Sequence, residues 1–159
     1  MKIDVMLENG LLPDKYGKYS DVTIGGEPCV SFPIKIEGVP SGAKTLTITF
    51  VDFDSMPLCG FAWIHWLAAN IPANIAEIPE NASQDGAFGM VQGATNFSGA
   101  LCCRYGGPMP PDKTHNYTLT VFALDSELEL AEGFSLDELN GKMSGHILEK
   151  SELLLPSRS

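Results

Sequence analysis

The stretch Lys44-Thr-Leu-Thr-Ile-Thr-Phe-Val51 constrains the fold more than any other part of the chain. Leu46, Ile48 and Phe50 alternate with Thr45, Thr47 and Thr49, so a period of two sorts them onto opposite sides of an extended backbone. The β-branched threonines reinforce the strand, because they fit a pleated surface better than a helix. Turn chemistry in Gly38-Val-Pro-Ser-Gly42 precedes it. The apolar row is assigned to the interior.

Two further strands follow from the same reasoning. Residues 61–71 are apolar on both faces, as a central strand requires. Residues 116–124 alternate and then become uniformly apolar. Shorter strands are predicted at 1–7, 22–25 and 29–36. Ser135 and Glu138 form a capping-box pattern, with Leu136, Leu139, Met143 and Ile147 following at helical spacing. Gly141 and Gly145 each cost such a helix about 1 kcal/mol relative to alanine, so it depends on packing. Residues 72–111 are dense in Gly, Asn, Ser and Pro and read as a long irregular segment with a functional purpose.

The chain has 159 residues with no internal repeat, linker or low-complexity tract, which predicts a single domain over 1–159. Its formal net charge of −10 repels phosphate backbones and anionic lipid surfaces, so nucleic-acid binding is not expected. A local pocket can still take an anion, since nearby dipoles and imidazolium outweigh distant screened carboxylates. No apolar stretch is long enough to span a bilayer, and Asp4 interrupts any secretory pattern, so a cytoplasmic location is expected. Cys29, Cys59, Cys102 and Cys103 lack zinc-site spacing and are expected to be buried, reduced thiols.

Chemistry concentrates in four places. Asp52 ends the core-facing row of the Thr/Leu strand, where a carboxylate needs a partner unless it merely caps the turn. His65 interrupts the apolar strand, and a lone histidine there is either a hydrogen-bonded core residue or a ligand group. His115 opens the strand that contains Tyr117. The segment Arg104-Tyr-Gly-Gly-Pro-Met-Pro-Pro111 is conformationally restricted and can bring backbone N–H groups close to a ligand. His146 is placed on the C-terminal helix in a packing or surface role.

In this order these segments resemble the phosphatidylethanolamine-binding protein family, that of Raf kinase inhibitor protein and its bacterial relatives. The resemblance rests on Asp52 to Pro57, Trp63 to Leu67 with Asn70-Ile-Pro72, Gly93 to Asn96, Tyr105 to Pro111, and His115 to Tyr117. It covers nearly the whole chain from Tyr19 onward and is nearest to the short, bacterial-type branch. It implies a β-sandwich of antiparallel Greek-key sheets with short peripheral helices.

The resemblance also implies an anion pocket at one end of the sandwich. Asp52, His65, His115 and Tyr117 would line it, with Trp63, Tyr105 and Pro111 as walls. Both histidines would donate hydrogen bonds to phosphate-type oxygens, and Asp52 would orient an imidazole. Phe53 stands where the family commonly has proline and is expected beside the site. Arg104 stands at a common glycine position and is expected as an added anion contact.

The implied function is non-enzymatic binding of a small phosphate-type anion or phospholipid headgroup, without a cofactor. Regulation of a partner kinase or protease is part of the implication, and a homodimer is compatible with it. Two alternatives stay open: a metal- or acid/base-dependent hydrolase using Asp52, His65 and His115, or a pure protein-interaction module.

Overall fold

A computed structural model describes residues 1–159. Its framework is a five-stranded antiparallel sheet in the order β10-β9-β5-β6-β8. These strands are β5 (Thr45–Asp52), β6 (Trp63–Pro72), β8 (Val91–Gln92), β9 (His115–Leu124) and β10 (Ile147–Ser157). The sequential pair β5 and β6 lie side by side. The chain then runs to β8 at one edge and returns as β9 on the opposite side of β5.

A second sheet, β1 (Lys2–Asp4), β4 (Ile34–Glu37) and β7 (Glu77–Ile78), faces the first across the main core. Ile3, Ile34, Ile36 and Ile78 meet Leu46, Ile48, Phe50 and Trp66 there. A two-stranded ribbon, β2 (Thr23–Ile24) and β3 (Glu27–Pro28), completes the strands. Only parts of the predicted strand at 29–36 are extended, because residues 29–33 form no strand.

The Thr face of β5 is buried as well: every residue from Thr45 to Asp52 is buried. A second apolar cluster, Leu67, Ala69, Leu124, Leu128, Phe134, Leu139 and Met143, explains the cover on that side. It brings in α3 (Leu136–Met143), whose Glu138 N–H donates to Ser135 Oγ at 3.1 Å. The helix ends four residues before its predicted apolar stripe does. Gly145 adopts φ +84°, a left-handed conformation that glycine takes without steric cost and that stops a helix.

Ile147 is therefore not helical. It starts β10, an 11-residue edge strand absent from the predicted elements. His146 also lies off the helix, exposed and bonded to Asp125 Oδ1 at 2.8 Å. The segment 72–111 is not structureless either: it holds β7, β8, α2 (Ala82–Asp85) and short 3-10 turns. Of the four free cysteines only Cys29 is buried. No helix is long and apolar enough to cross a membrane.

Candidate functional site

Strand register assembles the site. Asp52 continues the core-facing row of β5, and its cross-strand partners are Tyr117 on β9 and Trp63 on β6. His115 lies two residues before Tyr117 and so shares its face. His65 arrives by a different device. Phe50 pairs with Trp66 but Val51 pairs with Ile64, so His65 is the extra residue of a β-bulge. The bulge lets both His65 and Trp66 face the main core, where strict alternation would turn one of them away. The His65 ring stands 5.0 Å from Tyr117 and 5.7 Å from Phe50.

Asn96 clamps the backbone at this bulge. Its Oδ1 accepts from Ile64 N–H at 2.7 Å, and its own N–H donates to Ile64 O at 3.0 Å. The next residue, Phe97, places its ring 5.3 Å from His65 and 5.8 Å from Trp63. Opposite, Gly106 N–H donates to His65 O at 3.0 Å, and Gly107 N–H to Pro28 O at 2.8 Å. Both glycines are required by close approach. A Cβ on Gly106 would lie 2.2 Å from the Phe97 ring, and one on Gly107 would lie 2.4 Å from Tyr16 O.

These elements enclose a cavity of about 300 Å³. Asp52, Trp63, His65, Pro111, His115 and Tyr117 all line it. Tyr105 does not. It is fully buried beneath the site, its ring against Phe32, Phe50 and Trp66 and its hydroxyl donating to Tyr16 O at 2.7 Å. Phe53 points outward and Arg104 pairs with Glu132, and neither lines the cavity. Sequence reasoning missed Phe97, Glu27 and the rim residues Leu58 and Cys59. Phe97 was findable from its place after the Gly93 to Asn96 motif, whereas Glu27 carries no local signal.

The short helix α1 (Met56–Cys59) forms one rim. Ser55 anchors it between β5 and β6, with Oγ within bonding distance of Asp52 O at 2.8 Å and Phe61 O at 2.9 Å. The same oxygen accepts from Trp63 N–H at 3.0 Å.

The hydrogen bonds fix the protonation states. His115 Nδ1 meets Asp52 Oδ2 at 2.7 Å and its Nε2 meets Asp112 Oδ1 at 2.9 Å. A carboxylate only accepts, so both ring nitrogens carry protons and the ring is an imidazolium. Burial opposes this charge, but the bonds to Asp52 and Asp112 outweigh it and raise the His115 pKa. His65 is the reverse case. Its Nδ1–H donates to Gly106 O at 2.7 Å, and burial pushes its pKa down to about 4 against the weaker effects of that bond and of Asp52. At neutral pH it is an uncharged ring whose Nε2 presents a lone pair.

Neither imidazole therefore has a free N–H for a phosphate oxygen, contrary to the role the resemblance implied. The unpaired polar atoms are acceptors instead: His65 Nε2, Asp52 Oδ1 and Glu27 Oε2, the two carboxylate oxygens being buried without a partner. Burial, followed by the Asp52 charge, keeps the Tyr117 hydroxyl protonated. No group of three or more His, Cys, Asp or Glu side chains is arranged to hold a metal ion.

A two-sheet β protein with a small cavity at one end, floored by a His–carboxylate pair and walled by aromatic residues and prolines, is the class that fold and site define. The chain belongs to the phosphatidylethanolamine-binding protein family, whose model matches residues 2–156. It is 51% identical over 160 residues to YxkA of Bacillus subtilis, described as uncharacterized, covering 94% of this chain and 95% of that one. The UPF0098 protein of Methanothermobacter thermautotrophicus is 34% identical over 156 residues, covering 97% and 95%. Among solved structures, a phosphatidylethanolamine-binding protein homolog from Chlamydia trachomatis superposes with a TM-score of 0.78 at 29% identity, covering 94% and 90%. Escherichia coli YbcL shares the fold, with a TM-score of 0.82 at 24% identity over 99% and 98%.

Proposed function

We propose that the cavity binds a small phosphate-type headgroup in its singly protonated form, without catalysing a reaction on it. The observation that carries this reading is the unpaired, buried Asp52 Oδ1 beside a neutral His65 and a protonated Tyr117. An unsatisfied buried acceptor costs about 1–3 kcal/mol, which a ligand O–H recovers when it donates there. A fully deprotonated phosphate brings only acceptors and, apart from the Tyr117 hydroxyl, meets acceptors at Asp52, His65 and Glu27. A monoanion brings one hydrogen for Asp52 or His65 and accepts in return from the Tyr117 hydroxyl. The nearby His115 imidazolium supplies a compensating positive charge.

Catalysis has less support. Ser55 and Cys59 lie at the rim, yet their hydrogens are directed at the carbonyls of Asp52, Ser55 and Phe61 rather than at a base. The carboxylate–imidazole pair of the cavity, Asp52 with His115, is closed at its far end by Asp112. Exposed Phe53, Met56, Leu58 and Phe61 surround this end. That apolar rim is the surface through which a partner protein, or the apolar part of a phospholipid, would reach the pocket.

Titration with inorganic phosphate and with phosphorylethanolamine at pH 6, followed through the His65 and His115 ring signals, tests the reading. Saturable shifts at both rings are expected. Unmoved signals at millimolar ligand would overturn it, and a response to only one compound would assign the source of the phosphate.

A further inference from the structure

Outside the cavity, the chain presents two adjacent thiols. We propose that Cys102 and Cys103 form a reversible redox modification site, closing to a vicinal disulfide by exchange with a low-molecular-weight disulfide. The pair follows a 3-10 turn at Gly99–Leu101. Cys102 is exposed, Cys103 is half-buried, and their sulfurs stand 3.5 Å apart. Each is the other's only hydrogen-bonding side-chain partner. Cys103 Sγ packs beside Gly133, where a Cβ would lie in van der Waals contact with it at 3.5 Å. Arg104 Nη1 donates to Cys103 O at 2.7 Å and pairs with Glu132, which fixes the residue after the pair.

Exposure assigns the order of events. The Cys102 thiolate attacks one sulfur of the small disulfide, whose S–S bond breaks and releases one thiol. Cys103 then attacks the Cys102 sulfur of the mixed disulfide, releasing the second thiol. The two electrons pass from the protein pair to the small disulfide, and the two thiol protons end on the released thiols. Burial raises the Cys103 pKa, in keeping with its role as the second, sheltered thiol. Adjacent Cα atoms lie about 3.8 Å apart across a trans peptide, shorter than the usual disulfide range of about 4.4–6.8 Å. The closed ring is therefore strained and readily reopened by thiols, as suits a reversible modification rather than a structural clip.

The location ties the pair to the cavity. Cys102 O accepts from Thr95 N–H and Leu101 O accepts from Thr95 Oγ1, each at 2.8 Å. Thr95 Oγ1 in turn accepts from Phe97 N–H at 3.2 Å. Closing the ring pulls on the carbonyls that hold Thr95, and Thr95 holds the segment whose next aromatic ring is a cavity wall.

The experiment treats the reduced full chain with oxidised glutathione, followed by intact mass and peptide mapping without reductant. The expected product has lost two hydrogens, carries a Cys102–Cys103 link, and reverts with mild thiol. A Cys103→Ser variant should stop at a stable glutathione adduct on Cys102. A wild-type protein that also stops at that adduct, or that forms only disulfide-linked dimers, overturns the site. His65 ring signals that shift on oxidation support the link to the cavity, and unchanged signals overturn it.

Discussion

Replacing Asp52 by Asn tests the electrostatics of the cavity floor with almost no change of shape. In the native protein Oδ2 holds the Nδ1 proton of His115 at 2.7 Å, and Oδ1 is buried and unpaired. An amide keeps the first bond through its oxygen and turns its NH2 towards the cavity, so an acceptor becomes a donor. The bond to His115 loses the carboxylate's charge and keeps only that of the imidazolium, which sets the stability loss at about 1–2 kcal/mol. The ligand effect is separate. A phosphomonoester has its second pKa near 6, so well above it the monoanion falls about tenfold per pH unit, or about 1.4 kcal/mol. Calorimetric affinity of the native protein for phosphorylethanolamine should fall close to tenfold between pH 7 and 8. The Asp52→Asn variant, able to donate to a dianion, should change by less than about threefold. Parallel slopes in the two proteins, or native affinity that rises with pH, would refute the reasoning.

Other outcomes follow from the same contacts. His65 titrates near 6.5 when unfolded but near 4 when folded, so the unfolded state binds its proton first. Stability should then decline as pH falls from about 6.5 to 4, by on the order of 3 kcal/mol at most. Urea midpoints of a His65→Gln variant should lose that slope. His115 works in the opposite sense: its raised pKa contributes stability present at low pH and lost as pH rises through the folded value. Gly107→Ala should destabilise more than Gly106→Ala, because the added methyl meets the Tyr16 backbone carbonyl rather than a Phe97 ring able to rotate. Overpacking of this kind costs about 1–3 kcal/mol, and thermal melts of the two variants would rank them. Leu139→Ala, at a fully buried α3 position, should cost about 2–5 kcal/mol in chemical denaturation.

What the sequence made legible was governed by local periodicity and by chemistry strung along single strands. Alternation along β5 put Asp52 on the core face, and antiparallel pairing with β9 brought Tyr117 beside it. The His65 position followed from the family motif, but its orientation depends on a bulge whose extra residue leaves no mark in the apolar pattern. Protonation states were not legible either. They rest on Gly106 O and Asp112, partners 41 and three residues away whose geometry exists only after the Gly/Pro loop folds back. The edge strand β10 escaped notice because its burial is largely one-sided and Glu149, Lys150 and Glu152 break its apolar pattern. Charged residues on an edge also discourage pairing with other chains. The helix was read one turn too long because Ile147 continues the stripe in spacing, and the left-handed Gly145 ends it.

Phe50 joins the cavity to the core. Its ring stands 5.6 Å from Tyr117 and 5.7 Å from His65 on the cavity side, and 5.1 Å from Phe32 and 6.0 Å from Tyr105 beneath. An occupant of the cavity therefore rests on the same aromatic cluster that holds the two sheets together, and the melting temperature becomes a ligand detector. At a hundredfold excess over Kd, a ligand specific to the folded state adds about 2.7 kcal/mol, which in a domain of this size raises Tm by roughly 5–10 °C. A screen of metabolite phosphates and lipid headgroups by thermal shift needs no assay of activity, because the protein's own melting reports which compound it holds.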